Sequence, residues 1–280
     1  MSSSSLSQTK RRIYSVRATL KITSAMKIVS TAKLKTFRDK LGQGDSYLNS
    51  LNGVLAKIIA NLDTFDDDNI NSCSVGEKNL IILVSSSLGL CGAYNSNVFK
   101  LFHDNYKSGD DVIAIGTKSE SYLRYRKIPY NERFVHSFRA FDYSVSRSLG
   151  KYIIKEFRKR QYKKVILIGT KFINSLSFKA ECKNILPVET EEKTLTSTII
   201  EPDAHSVYRT LLPQYVNSII YNTLLNSIVC EYASRRNAME NASDNAENII
   251  DELTLTYNKD RQAAITQEIT EVVSGANNNK

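Results

Sequence analysis

The chain has 280 residues with a formal charge of +9 and a pI near 9.2, long enough for one large domain or a domain plus an extension, and basic enough to favour an acidic partner. It has no Trp and only four Pro, which excludes a Pro-rich linker. Its four cysteines, Cys73, Cys91, Cys182 and Cys230, form no CxxC pair and have no His at ligand spacing, which argues against zinc and a disulfide framework and fits a reducing compartment.

The opening MSSSSLSQTKRRIYSV has no apolar h-region, and no uncharged run approaches roughly 18 residues, which points to a soluble chain, neither secreted nor membrane-spanning. No Gly or Pro occurs before Gly42, so the first stretch, residues 1–60, reads as a long helix. Ile13, Val16, Leu20 and Thr23 form a stripe along it. The same helix is strongly basic: Lys10, Arg11, Arg12, Arg17, Lys21, Lys27, Lys33, Lys35, Arg38 and Lys40 face a single acid, Asp39. Such a run is either a solvated face or a nucleic-acid surface, and no aromatic platform accompanies it.

The pattern then changes. Acid-rich Asn61–Asn69 reads as a connection, and the runs Asn79–Ser86, Asp111–Thr117 and Lys163–Phe172 are short, β-rich and of the buried parallel-sheet kind. Helical stretches around Asn95–Tyr106, Ser119–Arg126 and Tyr143–Arg160 intervene, which predicts a Rossmann-like α/β domain over residues 75–205. Val188–Asp203 is its second acidic connection, with Glu201-Pro202-Asp203 a turn before the next helix.

The first strand feeds VSSSLGLCGAYN (Val84–Asn95), where Cys91 suggests a nucleophile or the glycines a phosphate loop. Ala93 stands where an elbow needs Gly, the histidines (His103, His136, His205) lie in no partner motif, and the Lys-Ser/Thr of a P-loop is missing. A buried thiol in a tight turn is the favoured reading.

From Pro213 to Gly275 the chain again lacks Gly and Pro, so residues 208–276 read as a second long helix. Its part from Gln214 to Ser274 would extend ~90 Å, far beyond what a small domain of ~30 Å covers. Met239, Ala242, Ala246, Ile249 and Leu253 make a heptad seam, continued upstream by Leu212, Val216, Ile219 and Thr223. An antiparallel coiled coil of the two ends buries both stripes.

Arg11–Leu34 resembles the opening helix of the gamma subunit of F-type rotary ATP synthases, through Arg12-Ile13, Ser15-Val16, Lys21-Ile22-Thr23, Ala25-Met26-Lys27, Val29 and Ala32-Lys33-Leu34. Arg235–Ala276 resembles the closing helix, most specifically at Ala238-Met239, Asp244-Asn245-Ala246, Tyr257-Asn258, Arg261-Gln262-Ala263 and Ile265-Thr266-Gln267-Glu268. Gly89–Val98 and Glu201–Val216 are similar to family blocks too.

The resemblance implies a non-catalytic central-stalk rotor whose coiled coil turns inside a ring of alpha and beta subunits, coupling ATP synthesis or hydrolysis to ion transport. It implies no cofactor, no metal and no nucleic acid. It places Arg261 and Gln262 against a loop of beta, supported by Thr266 and Glu268, and sets Met26, Lys27 and Arg235 near an acidic beta segment. Glu201, Asp203 and Tyr208 then belong to the foot that meets the epsilon subunit and the c-ring. With no transit peptide ahead of the first helix, the expected location is the cytoplasmic face of a bacterial plasma membrane, peripheral through the complex, with the mitochondrial matrix side as the alternative. Ser87-Leu88 in place of a usual acid-base pair, Arg236 in place of a usual Met and the polar ANNNK end suggest, as an alternative, the shaft of a specialised ATP-hydrolysing paralogue. A basic coiled coil that binds nucleic acid is the distant one.

Overall fold

Helix α1 spans Ser2–Ala60 and helix α5 spans Ala204–Asn277 in the computed structural model, which describes residues 2–60, 70–138, 141–188 and 200–277. Between them run β1 (Lys78–Val84), α2 (Tyr94–Asn105), β2 (Asp111–Ile115), α3 (Thr117–Tyr125), α4 (Tyr143–Phe157), β3 (Tyr162–Phe172) and β4 (Phe178–Leu186), with a 3-10 turn at Ile70–Cys73. The acidic connections at 61–69 and 189–199 lie outside the described residues, as does the end of the polar tail, 278–280.

The sheet has the order β2-β1-β3-β4. β1 pairs in parallel with both β2 and β3, as the unbroken apolar runs predict for strands covered on both faces. Side chains alternate between two cores. Leu80, Ile82, Val84, Ile113, Ile115, Val165 and Leu167 face α1, α4 and α5, packing with Leu55, Ile153, Phe157, Leu212 and Val216. Ile81, Leu83, Val112, Ala114 and Ile168 face α2 and α3, against Val98, Phe102 and Leu123.

β4, a strand the sequence reading does not single out, is added at the edge of this parallel-type sheet: it pairs antiparallel with β3, from Phe172 opposite Phe178 to Val165 opposite Leu186. Its sequence, FKAECKNIL, mixes charged residues among apolar ones because it is an edge strand, half exposed along most of its length.

Two compact units divide the chain, one of Ala32–Ser234 and one of the residues up to Thr31 with those from Arg235 onward. Within the first, α5 lies directly on β3. Asn226 Oδ1 accepts the Phe172 N–H at 3.0 Å, and a Cβ on Gly169 would come within 2.9 Å of Thr223 Cγ2 and 3.0 Å of Ser227 Oγ. Gly169→Val should therefore destabilise this unit by about 1–3 kcal/mol through overpacking, outweighing the roughly 0.5–1 kcal/mol recovered by removing an interior glycine. Urea denaturation gives the sign, and a stabilised variant would refute the close approach.

α5 begins at Ala204, so Pro213 sits inside the helix. An interior proline costs about 3 kcal/mol. The segment before it stays helical because Tyr208 and Leu212 are buried in the main core, with Val207 and Leu211 packed against it, at roughly 1.5–3 kcal/mol per buried apolar side chain.

In the second unit, α1 and α5 pair antiparallel, with Thr23 opposite Ser243 and Lys27 opposite Glu240. The α1 stripe is the predicted one: Ile13 and Thr23 are buried, Val16 and Leu20 half-buried. On α5 the predicted Met239, Ala242, Ala246 and Leu253 are buried or half-buried, and the seam also takes in residues that the apolar pattern passes over. Met239, Ser243, Ala246, Ile250, Leu253, Tyr257, Asp260 and Ala264, spaced alternately by four and three, are its covered positions, while Ile249 is exposed.

Candidate functional site

The paired helices present two sets of side chains with different surroundings. Near the middle, Lys27 Nζ lies 2.9 Å from Glu240 Oε1, and Arg236 reaches the other carboxylate oxygen at 3.8 Å. The hydrogen bond and charge of Lys27, then Arg236, hold the Glu240 carboxyl below the usual carboxylate range. A depressed carboxyl contributes stability that is complete above its unfolded value, near pH 4.5, and is lost as pH falls through the folded one. In circular dichroism melts taken from neutral pH down to about pH 3, Glu240→Gln should flatten the acid limb. An unchanged acid limb would count against the bridge.

Small polar residues let the backbones approach here. Thr23 and Ser243 share a hydrogen bond of 2.8 Å in the seam, and Ser243 Oγ also donates to the Met239 carbonyl at 2.9 Å. Met26 and Lys27 are half-buried. Arg235, expected beside them at a partner's surface, is only 3 % exposed.

Toward the end of α5 the surroundings change. Ala264 is the last buried residue among those described, and every position from Ile265 to Ser274 is exposed. This stretch leaves Ile265, Ile269, Val272 and Val273 in solvent, Ile269 at 59 % and Val272 at 72 %. Arg261, Gln262, Thr266 and Glu268 stand exposed beside these apolar residues. Thr266 Oγ1 donates to the Gln262 carbonyl at 2.9 Å, whereas the Arg261 and Gln262 side chains make no hydrogen bond among the described residues. An all-round bare helix with unmet apolar side chains and free fork-shaped donors is suited to a surrounding partner.

The foot residues fall into two kinds. Asp203 caps α5, accepting the Ser206 N–H at 2.8 Å and the Ser206 hydroxyl at 2.7 Å, bonds that lower its carboxyl from the ordinary value. Glu201 is exposed. Tyr208 is 2 % exposed within the main core, and burial pushes its hydroxyl up to about 12.

The VSSSLGLCGAYN turn holds no reactive centre. Cys91 is buried, with Ser86, Asn95 and the Leu88 carbonyl around its sulfur and no histidine among those partners. Gly92 has φ +52°, and Leu90 is also left-handed at +59°. Of the positions marked as departures, Ser87 accepts the Thr117 hydroxyl through its carbonyl, and Arg236 pairs with Glu240.

A family profile described as ATP synthase matches residues 5–278. An ATP synthase gamma chain of Mycoplasma capricolum is 38 % identical over 279 residues, covering 98 % of each chain. That of Mycoplasma mycoides is 37 % identical over 96 % of each, and that of Fusobacterium nucleatum 32 % identical over 97 % of this chain and 98 % of its own. Among solved structures, the rotor of Euglena gracilis mitochondrial ATP synthase shares the fold at TM-score 0.69 and 16 % identity, over 94 % of this chain and 99 % of the other. A chain of the central stalk and c-ring of Tetrahymena thermophila mitochondrial ATP synthase matches at TM-score 0.58 and 25 % identity, over 79 % of this chain and 99 % of its own.

Proposed function

Since the chain belongs to the ATP synthase gamma-chain family, we propose that it acts as the turning shaft of the complex, contacting alpha, beta, epsilon and the c-ring separately. It is the central-stalk rotor subunit, itself non-catalytic. The observation that carries the proposed contacts is the exposed end of α5, Ile265 to Ser274, whose apolar side chains need a covering surface. A sleeve formed by the alpha-beta ring covers them while leaving the helix free to turn. The basic face of α1 then meets acidic segments of beta in succession, an interaction of long range that needs no fixed register.

Arg261 and Gln262 are the pair we place against beta, with Thr266 and Glu268 in support, and Met26 and Lys27 against its acidic segment. Arg235 and Tyr208 are buried, so their part is to hold their helices and not to touch a partner. Glu201 and Asp203 mark the foot toward epsilon and the c-ring. No helix among the described residues is long and apolar enough to cross a membrane. The complex holds the chain at the membrane, and the bacterial relatives favour the cytoplasmic face.

Mixing the pure chain with an alpha-beta ring that lacks it tests this reading. The chain alone should hydrolyse no ATP, and the reconstituted ring should turn a bead fixed to the chain in steps driven by ATP. A ring that neither binds the chain nor rotates it would overturn the proposal.

A further inference from the structure

One face of α4 carries Arg147, Lys151, Lys155 and Arg158, spaced by four, four and three residues. With Ile154, Pro213 and Asn217 they line an open groove of about 580 Å³ between α4 and α5. All four cations are exposed, and none makes an ion pair among the described residues. The nearest acid on the helix, Glu156, is already taken by Lys159 at 2.7 Å. Like charges at these spacings repel along a helix face. A row of cations unopposed among the described residues is suited to an acidic surface.

The floor of the groove carries a second, independent signal. Gly150 lies within α4, where glycine is a poorer helix former than alanine. A Cβ there would press on Asn217 Oδ1, so the glycine leaves room for the Asn217 side chain as it stands. Asn217 is 9 % exposed, its Oδ1 is buried with no hydrogen-bond partner, and its amide makes no hydrogen bond among the described residues. With Oδ1 turned against Gly150, Nδ2 is the end of the amide that an acceptor lying in the groove can reach.

We propose that this groove is the docking site of an acidic, amphipathic helix from another subunit of the assembly. An enclosed pocket would suit a small anion, but an open groove buries too little of one, since such sites cover about 70–90 % of a ligand. The cations extend about 16 Å along the helix at 1.5 Å per residue. A helix with carboxylates at matching four- and three-residue spacings meets each cation, while its apolar edge covers Ile154, Pro213 and the Lys stems. The inference rests on the chain's place in a multi-subunit complex.

The test uses the assembled complex. Lys151→Cys in a Cys182→Ser background offers a single exposed thiol, the other cysteines being buried. A benzophenone attached there and photolysed should cross-link to a segment rich in Asp and Glu at helical spacing. Lys151→Glu/Lys155→Glu should weaken retention of the same subunit by about ten-fold or more and reduce its salt sensitivity. Full-length chain is also mixed with phosphatidylcholine vesicles, with and without about a third phosphatidylserine. Cation-dependent binding to the anionic vesicles without a protein cross-link would overturn the proposal in favour of lipid. A cross-link to a segment without acids, or unchanged retention in the charge-reversed variant, would also overturn it. If the complex assembles and rotates while the cross-link fails, only this inference falls; if the chain never joins the ring, the rotor reading falls.

Discussion

Replacing both Arg261 and Gln262 by alanine is expected to lower ATP hydrolysis by the assembled complex by about ten-fold or more, while the isolated chain melts at an unchanged temperature. Hydrogen bonds to charged groups contribute about 1.5–3 kcal/mol where water is excluded, and each 1.4 kcal/mol is a factor of ten. The same contacts in open water would be worth about 0–1 kcal/mol, so the size of the loss reports whether the end of α5 is sheathed. Stability should not move, because both side chains are exposed and without hydrogen bonds among the described residues, and such surface changes stay within about 0.5 kcal/mol. Thr266→Ala should do much less, since its hydroxyl is already satisfied by the Gln262 carbonyl of its own helix. Unchanged turnover in the double variant would remove this pair from the coupling surface.

How far the sequence carries depends on what each element buries. β1, β2 and β3 are legible because strands covered on both faces become unbroken apolar runs, such as LIILV. β4 is hidden for the opposite reason: Lys179, Glu181 and Lys183 on an edge break the run, and only pairing with β3 makes the segment a strand. On α5 the seam departs from the apolar pattern at Ile249, which is exposed, because periodicity counts apolar residues and passes over polar ones. The interface also takes Ser243, whose hydroxyl meets Thr23 across 220 residues of sequence. No local pattern shows that a serine has a distant hydroxyl waiting for it. For the site, exposure of Arg261, Gln262, Thr266 and Glu268 fits their resemblance-based roles, whereas burial of Arg235 and Tyr208 depends on tertiary packing that one sequence does not reveal. The α4 cations were visible as residues, but their lack of partners emerges only once the acids have been located.

Phe157→Ala should give the largest loss of stability. Phe157 closes α4 and is fully buried among the residues that join α4 to the sheet and to α5. Truncating a buried phenylalanine costs about 3–5 kcal/mol, part lost transfer energy and part cavity. Domains are stable by only about 5–15 kcal/mol, so the change consumes a large share of the margin. At roughly 2–4 °C per kcal/mol for a unit of this size, the transition of the Ala32–Ser234 unit should fall by about 6–20 °C. Phe157→Leu, which keeps most of the volume, should cost clearly less, and exposed Tyr125→Ala should stay within about 0.5 kcal/mol. The ordering of the three variants in calorimetry is the decisive result. A cavity term predicts Ala far below Leu. Equal losses for the two would mean that α4 is held mainly by other contacts, and Phe157 would cease to be its anchor.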